Sequence, residues 1–419
     1  VFQAPRGTRD ILPDTARRWR YVEAVARGWA ELYGFGEIRM PAFEDAGLFL
    51  RGVGESTDII EKEIYTFDDR GGDRLALRPE ATAPVVRAYL QHGLFNQPQP
   101  VKLYSILNLF RYDRPQAGRY REFNQLNCEA LGESDPLVDA ELVSLLWRFL
   151  ENLGLRDLSV QLNSIGDGAC RPAFVKALVA HYEAHLSEVC EDDVRRLRTN
   201  PLRLLDCKRP GCQPVIDSAP RTVDYLCGPC AEHFEALKTY LADQGLHCEL
   251  NPRLVRGLDY YTRTVFEVWP PEAGSQSSLG GGGRYDGLAE QLGGRPAPGV
   301  GFAAGLERIL LSVEKQGLID DRPERDLVFL APIGLEAKRE LNCLADQLRQ
   351  EGIPAVVGTG NRSLKALLRQ ANAVRARWAL VLGDQELSQR NINLRDLQTS
   401  EQRTVSLATV AEELRTPHA

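Results

Sequence analysis

The chain has 419 residues, 43% of them hydrophobic and 26% charged, with a formal net charge of −7. That is the balance of a globular protein with a sizeable core and room for two or three domains, and it excludes a low-complexity chain. No stretch approaches the roughly 18 consecutive apolar residues of a membrane helix, and the nine cysteines are too few and odd in number for a disulfide scaffold.

In chain order, residues 15–33 read as an amphipathic helix, with Trp19, Val22, Ala26, Trp29 and Tyr33 at spacings of three or four. The start of the chain shows neither an apolar nor an Arg/Ser-rich targeting pattern, so the expected location is cytoplasmic. Residues 101–113 alternate as a strand, and 123–131 read as its return after Arg114-Pro115-Gln116-Ala117-Gly118. A helix is expected from Pro136 to Leu153. Residues 168–245 are helical in pattern and divide two segments of strand character, so they read as an insertion. Strand character returns over 253–312, with a Gly-rich turn at 280–283 and a helix from Gly301 to Ser312. Lys315 to Arg325 reads as a linker. After it, strands at 327–332, 353–357 and 378–382 alternate with helices at 336–350 and 363–374, a small βαβαβ unit with a parallel or mixed sheet. The expected divisions are thus 1–167, 168–245, 246–320 and 326–419.

The densest chemistry lies between Arg111 and Glu129. Four arginines (111, 114, 119 and 121) meet at the loop between the two expected strands. Guanidinium groups keep their charge and bind phosphate oxygens through two N–H groups, which suits a triphosphate; a solvated arginine-rich hairpin is the competing reading. On the return strand Phe123, Gln125, Asn127 and Glu129 share one face, opposite Leu126, Cys128 and Ala130. One aromatic, two amides and a carboxylate make either a recognition surface or a polar outer side of the sheet. The Glu129 carboxylate suits an imidazole N–H. In Arg78-Pro79-Glu80-Ala81-Thr82, Glu80 and Thr82 either hold a ligand ammonium or cap a helix. In Arg256-Gly257-Leu258-Asp259-Tyr260-Tyr261, the adjacent tyrosines are expected on opposite faces of a strand. The four glycines before Arg284-Tyr285-Asp286 imply that something approaches that backbone closely. Arg308 lies in a helix after Gly299-Val300-Gly301-Phe302.

Cys207, Cys212, Cys227 and Cys230 have spacings that fit one four-thiolate zinc knot; free thiols in a helical insertion fit equally. In the tail, five basic residues and no acidic one fall between Arg362 and Arg377. Arg362, Lys365 and Arg369 are expected on one helical face, as a phosphate-contacting stripe or simply a solvated one.

Taken in order, these segments resemble the three motifs of class II aminoacyl-tRNA synthetases. Residues 15–33 with Ile38-Arg39-Met40-Pro41 look like motif 1, Phe110 to Glu129 like motif 2, and Gly299 to Leu311 like motif 3. Arg256-Gly257-Leu258-Asp259-Tyr260-Tyr261 and the glycine run ending Arg284-Tyr285-Asp286 narrow the resemblance to the histidyl-tRNA synthetase family. It implies an α+β catalytic domain on an antiparallel sheet, a mainly helical insertion over the tRNA acceptor arm, and an α/β anticodon-binding domain. It implies a homodimer through motif 1, ATP with Mg2+, L-histidine and tRNA(His) as substrates, and a histidyl-adenylate intermediate. By position, Arg111 and Arg256 would serve the α-phosphate. Asp113, Arg119, Phe123 and Arg308 would hold the rest of ATP. Glu80, Ala81, Thr82 and Gln125 would surround the histidine ammonium, and Glu129, Tyr260 and Tyr261 its side chain. Ala81 stands where the family commonly has Gly, Asp113 where it has Glu, and Asn124 where His is frequent. A non-enzymatic paralogue in the family typically lacks both the tail and the intact Arg-Gly-Leu-Asp-Tyr-Tyr stretch, which this chain has.

Overall fold

The computed structural model describes residues 2–54, 57, 59–271, 278–318 and 326–415. They form two compact units, one ending at residue 318 and one starting at 326. The stretch 319–325 of the expected linker lies outside the described residues; Lys315 ends a helix.

The first unit is built on an eight-stranded sheet. Its strands are β1 (Gly36–Glu37), β5 (Val101–Phe110), β6 (Glu122–Leu131), β7 (Ser159–Ser164), β8 (Cys248–Leu250), β9 (Thr262–Trp269), β10 (Gly280–Arg284) and β11 (Gly299–Gly305). A small three-stranded sheet holds β2 (Phe43–Asp45), β3 (Thr66–Asp68) and β4 (Arg74–Leu77). The large sheet runs β1-β5-β6-β11-β10-β9-β7-β8, antiparallel except at its two edge pairs. The β5–β6 pair is in continuous register from Val101 opposite Leu131 to Phe110 opposite Glu122, as the alternating pattern predicts.

Helices cover one face of this sheet. They include α1 (Pro13–Leu32), α4 (Pro136–Asn152) and α10 (Leu306–Lys315), with α2 (Ala46–Val53), α3 (Thr82–Gln91) and α9 (Leu288–Gln291) elsewhere in the unit. α1 starts with Pro at its first turn and buries Trp19, Val22, Ala26 and Ala30 at helical spacing. These meet Leu126, Cys128 and Ala130 of β6 and Phe302 of β11 in one core, each large apolar side chain contributing about 1.5–3 kcal/mol by leaving water. The expected insertion supplies α5 (Arg171–Ala184), α6 (Glu191–Thr199), α7 (Gln213–Asp217) and α8 (Gly228–Asp243). Phe234, Leu237 and Leu241 of α8 join the same core, while α5 and the segment 204–216 form a smaller one. The flanking β7 and β8 are hydrogen-bonded neighbours.

Two local expectations are overturned. The glycine run is not a turn but the central strand β10, paired on both sides. Residues 299–305 are likewise a strand, and the helix begins only at Leu306. Sheet neighbours supply the pairing energy that glycine's entropy disfavours locally. Arg284, at the end of β10, is fully buried and pairs with Asp139 of α4, which also contacts His233 of α8. Burial raises the Asp139 carboxyl pKa, but hydrogen bonds from His233 and Arg284 outweigh it and hold the group below its ordinary range.

The second unit holds β12 (Val328–Pro332), α11 (Leu335–Gln350), β13 (Ala355–Val357), α12 (Leu364–Ala373), β14 (Trp378–Leu382), α13 (Asp384–Ser388), β15 (Asn391–Asp396), β16 (Gln402–Ser406) and α14 (Val410–Arg415). The order is β13-β12-β14-β15-β16, with parallel pairing among the first three strands and antiparallel pairing beyond. This is the predicted βαβαβ unit, extended by a hairpin that the sequence reading did not include. Lys365 and Arg369 stand one turn apart on α12, and both are exposed. Arg362 precedes the helix, whose N-cap is Ser363, so it is not on the helical face expected for it.

Candidate active site

The uncovered face of β6 opens into a cleft of about 420 Å³. Phe123, Gln125 and Asn127 line it, as period two requires. Glu129, next on the same face, does not line it but is buried at 2% exposure behind Thr82 and Gly301, which do. The Glu129 carboxylate is held from two sides. Tyr285 donates to Oε2 at 2.6 Å and Thr82 to Oε1 at 2.7 Å. Burial pushes the carboxyl up to about 8, against the two hydrogen bonds and with the help of nearby Glu80. Opposite it, β11 carries Gly301, where an added Cβ would overlap Oε2. Glycine here is therefore a condition for the carboxylate's position.

Glu80 does cap a helix: Oε2 accepts from the Thr82 N–H at 2.8 Å and Oε1 from the Ala83 N–H at 2.9 Å. It also lines the cleft with Ala81 and Thr82, within reach of a ligand. Burial raises the Glu80 pKa. Tyr260 donates to Glu80 Oε2 at 3.4 Å. Tyr260 and Tyr261 precede β9 rather than lying on it; both line the cleft, with ring centroids 4.7 Å apart. The expectation of opposite faces fails because strand geometry begins only at Thr262.

Cations ring the outer part. Arg111, Arg119, Arg256 and Arg308 all line the cleft, whereas Arg114 is exposed outside it. Arg121 stacks on the Tyr112 ring, 3.8 Å from its centroid. Arg111 donates to the Pro79 carbonyl at 2.8 Å, and its guanidinium lies 5.3 Å from the Phe123 ring centroid. Arg119 pairs with Asp113 at 3.3 Å. Arg308 donates to the Ser278 carbonyl at 3.1 Å; burial, then the charges of Arg119 and Arg111, lower its pKa. Arg256 pairs with the buried Glu267 of β9 and reaches the Gly281 carbonyl at 3.4 Å. Burial disfavours its charge, but Glu267 outweighs that and raises its pKa. The glycine strand chiefly admits the backbones of its neighbours, since a Cβ would overlap the Gly301 carbonyl at Gly282 and the Thr264 carbonyl at Gly283; at Gly281 it would lie 2.6 Å from the Phe266 carbonyl and 3.1 Å from Arg256 Nη1. Arg203 lines the cleft as well, and so do the carboxylates Glu63, Glu80, Asp113, Glu267 and Glu307, which offset part of this positive charge. Arg308 still feels repulsion from Arg119 and Arg111, which an anionic ligand between them would relieve.

The sequence reading missed two residues of this arrangement as site residues. Tyr285 stands in the sequence only as part of the Arg284-Tyr285-Asp286 motif. Glu267 had a signal of its own, a lone acid inside the apolar run Val265-Phe266-Glu267-Val268. A further correction concerns the cysteines. Cys207 and Cys212 gather with Cys190 and Asp193, while Cys227 and Cys230 gather with Asp167 and Cys170. The four do not form one knot, because Cys227 and Cys230 sit at the start of α8, which packs on the main core.

A family model described as Histidyl-tRNA synthetase matches residues 7–309, and one described as Anticodon binding domain matches 327–416. A protein of Dehalococcoides mccartyi named Histidine--tRNA ligase is 52% identical over 407 residues, 97% of each chain. One of the same name from Desulforudis audaxviator is 49% identical over 415 residues, 99% of each chain. The crystal structure of apo S. aureus histidyl-tRNA synthetase superposes with a TM-score of 0.83 at 37% identity, covering 99% of this chain and 100% of that one. The fold, the order of the motifs and these relatives agree, and the chain belongs to the histidyl-tRNA synthetase family.

Proposed function

We propose that this protein ligates L-histidine to tRNA(His), using ATP to form a histidyl-adenylate and releasing AMP and pyrophosphate. The observation that carries the reading is the convergence of Arg111, Arg256 and Arg308 on one cleft, with the buried Glu129 behind its Thr82 wall. Relatives named histidine--tRNA ligase, about half identical over nearly the whole chain, support it.

In the first step the histidine carboxylate attacks the α-phosphorus of MgATP and pyrophosphate departs. Charge accumulates on phosphate oxygens while no protein bond forms, so fixed cations and positioning supply the catalysis. We assign Arg111 and Arg256 to the α-phosphate and the substrate carboxylate. Arg256 is suited to that role because Glu267 holds its guanidinium before substrate arrives. Asp113, Arg119 and Arg308 orient the triphosphate, and Phe123 stacks on the adenine. Glu80, Ala81, Thr82 and Gln125 surround the ammonium, and Glu129, Tyr260 and Tyr261 the imidazole. In the second step a terminal ribose hydroxyl of tRNA attacks the adenylate carbonyl and AMP leaves.

The second unit, matched by an anticodon-binding model, takes the anticodon arm, with Arg362, Lys365 and Arg369 as phosphate contacts. Exposed Tyr21, Leu32 and Phe43 near motif 1 support a homodimer. No helix among the described residues is long and apolar enough to cross a membrane, and the working location is the cytoplasm.

Histidine-dependent exchange of pyrophosphate into ATP is the deciding assay. The reading predicts exchange with histidine alone among the amino acids; ATP binding without exchange, or exchange driven by another amino acid, defeats it.

A further inference from the structure

The smaller core of the insertion holds a group of side chains that the aminoacylation chemistry does not use. Cys190 is the N-cap of α6 and Asp193 sits three residues on, so both face the same side of the helix start. Cys207 ends the short helical segment Pro201–Asp206, and Cys212 immediately precedes α7. One ligand atom from each of these four residues lies within 4.8 Å of every other. Cys190 Sγ and Cys207 Sγ are 3.9 Å apart. A tetrahedral ion with metal–sulfur bonds of about 2.3 Å places its sulfurs about 3.8 Å apart.

One observation beyond the clustering itself points to a ligand at this place. Asp193 has no exposed side-chain surface; Oδ1 accepts from Arg196 at 3.1 Å, yet the buried Oδ2 has no N–H or O–H donor and faces the Cys207 and Cys212 sulfurs. A buried carboxylate oxygen without a donor is costly, and a cation is the partner that removes the cost. The Cys190 backbone N–H also reaches Cys212 Sγ at 3.3 Å, which helps fix that sulfur's place in the cluster.

We propose that Cys190, Asp193, Cys207 and Cys212 bind one structural zinc ion per chain. Three sulfurs with one carboxylate match zinc's soft, four-coordinate preference; magnesium and calcium prefer an all-oxygen shell. The set is complete without water, so the site is structural rather than catalytic. Its place explains its use. α6 and the segment 201–212 bury few apolar side chains, and the neighbouring Asn200 holds Asp259 at 2.8 Å beside the family-specific stretch. Zinc ties these short pieces together where the core is too small to do so. The other cluster does not carry the same argument, because Asp167 already accepts from the Ala169 N–H at 3.0 Å and from Arg263 at 3.3 Å.

The test is metal analysis of the full chain purified under reducing conditions without added chelator. The expected result is that Cys207→Ser/Cys212→Ser loses one equivalent of zinc relative to the parent, while Cys343→Ser, at an exposed thiol, loses none. Asp193→Asn keeps size and shape, so it guards against a double variant that fails to fold. It should lose zinc to a competing chelator at least tenfold more readily, and hydrogen exchange over 190–212 should rise on zinc removal. Equal zinc in parent and double-serine protein, unchanged chelator competition in Asp193→Asn, or a Cys190–Cys207 disulfide in freshly prepared protein would each overturn the proposal.

Discussion

Tyr285 and Glu129 are 156 positions apart in the chain, yet the Tyr285 hydroxyl sits 2.6 Å from Glu129 Oε2, both buried behind the cleft. β6, β11 and β10 are consecutive in the sheet, and Gly301 on the middle strand leaves room for the carboxylate to reach across. The inner pocket therefore depends on this three-strand arrangement, and its properties can be measured.

The Glu129 carboxyl is raised to about 8 in the folded chain, above its unfolded value of about 4.3. The folded state thus binds more protons between those values. Its contribution to stability is whole below the lower value, declines above it, and is gone once pH has risen through about 8. Glu129→Gln cannot ionise. Between pH 6 and 9 the ligand-free parent should lose about 3 kcal/mol relative to this variant. Thermal unfolding of the pair across that range checks it; a constant difference in Tm shows that Glu129 ionises normally. In the exchange assay the same variant should discriminate less well for histidine, and unchanged kinetics would remove Glu129 from the binding pocket.

Gly301→Ala places a methyl group against Glu129 Oε2 and 2.8 Å from the Cys128 carbonyl. The carboxylate must swing away or the strands must part. Histidine KM should rise at least tenfold with a much smaller change for ATP. Equal losses for both substrates would mean that the whole sheet has shifted.

Removal of Arg256 withdraws a preorganised charge and leaves Glu267 buried without its partner. For Arg256→Ala we expect about 100- to 1,000-fold loss of kcat in exchange, with less change in KM. Glu267→Gln leaves the cation present but less firmly aimed, and should lose less. A loss confined to KM would assign Arg256 to substrate binding instead.

Arg284 and Asp139 form an ion pair with no exposed side-chain surface. Asp139→Ala leaves the guanidinium with Asp286 and the Glu133 carbonyl, each at 3.0 Å, and should cost up to about 3–5 kcal/mol, read as a lower denaturation midpoint. Because the Asp139 pKa is depressed in the folded state, its contribution is present above the unfolded carboxylate value and is lost as pH falls through the depressed one. A midpoint unchanged by the substitution would rule out this pair as a structural pin.

In the second unit, replacing Arg362, Lys365 and Arg369 by Ala should raise the KM for tRNA and flatten its salt dependence, by up to about 0.7–0.9 logarithmic units per lost phosphate contact. Pyrophosphate exchange, which needs no tRNA, should not change. An unaltered tRNA KM would reduce the stripe to a solvated surface.

Some of this architecture is written locally. The alternation from Phe123 to Ala130 sorts itself into cleft and core faces as period two dictates, and the βαβαβ order of the tail follows from its hydrophobic pattern. The chemistry of the arginines and of Glu129 was legible for the same reason: residue type and spacing act over a few positions. Local pattern failed where distant partners decide. A glycine run reads as a turn until strands on both sides claim its backbone, and Tyr260 and Tyr261 read as strand neighbours until the chain enters β9 only at Thr262.

The sequence by itself thus determined which residues are available and which side of a strand or helix each takes, because those follow from backbone geometry over a turn or a pleat. Tertiary structure alone decided which segments meet: Cys190 and Asp193 with Cys207 and Cys212, Glu267 with Arg256, Tyr285 with Glu129. Such meetings depend on strand order and on the burial of whole faces, and no short-range periodicity encodes either one.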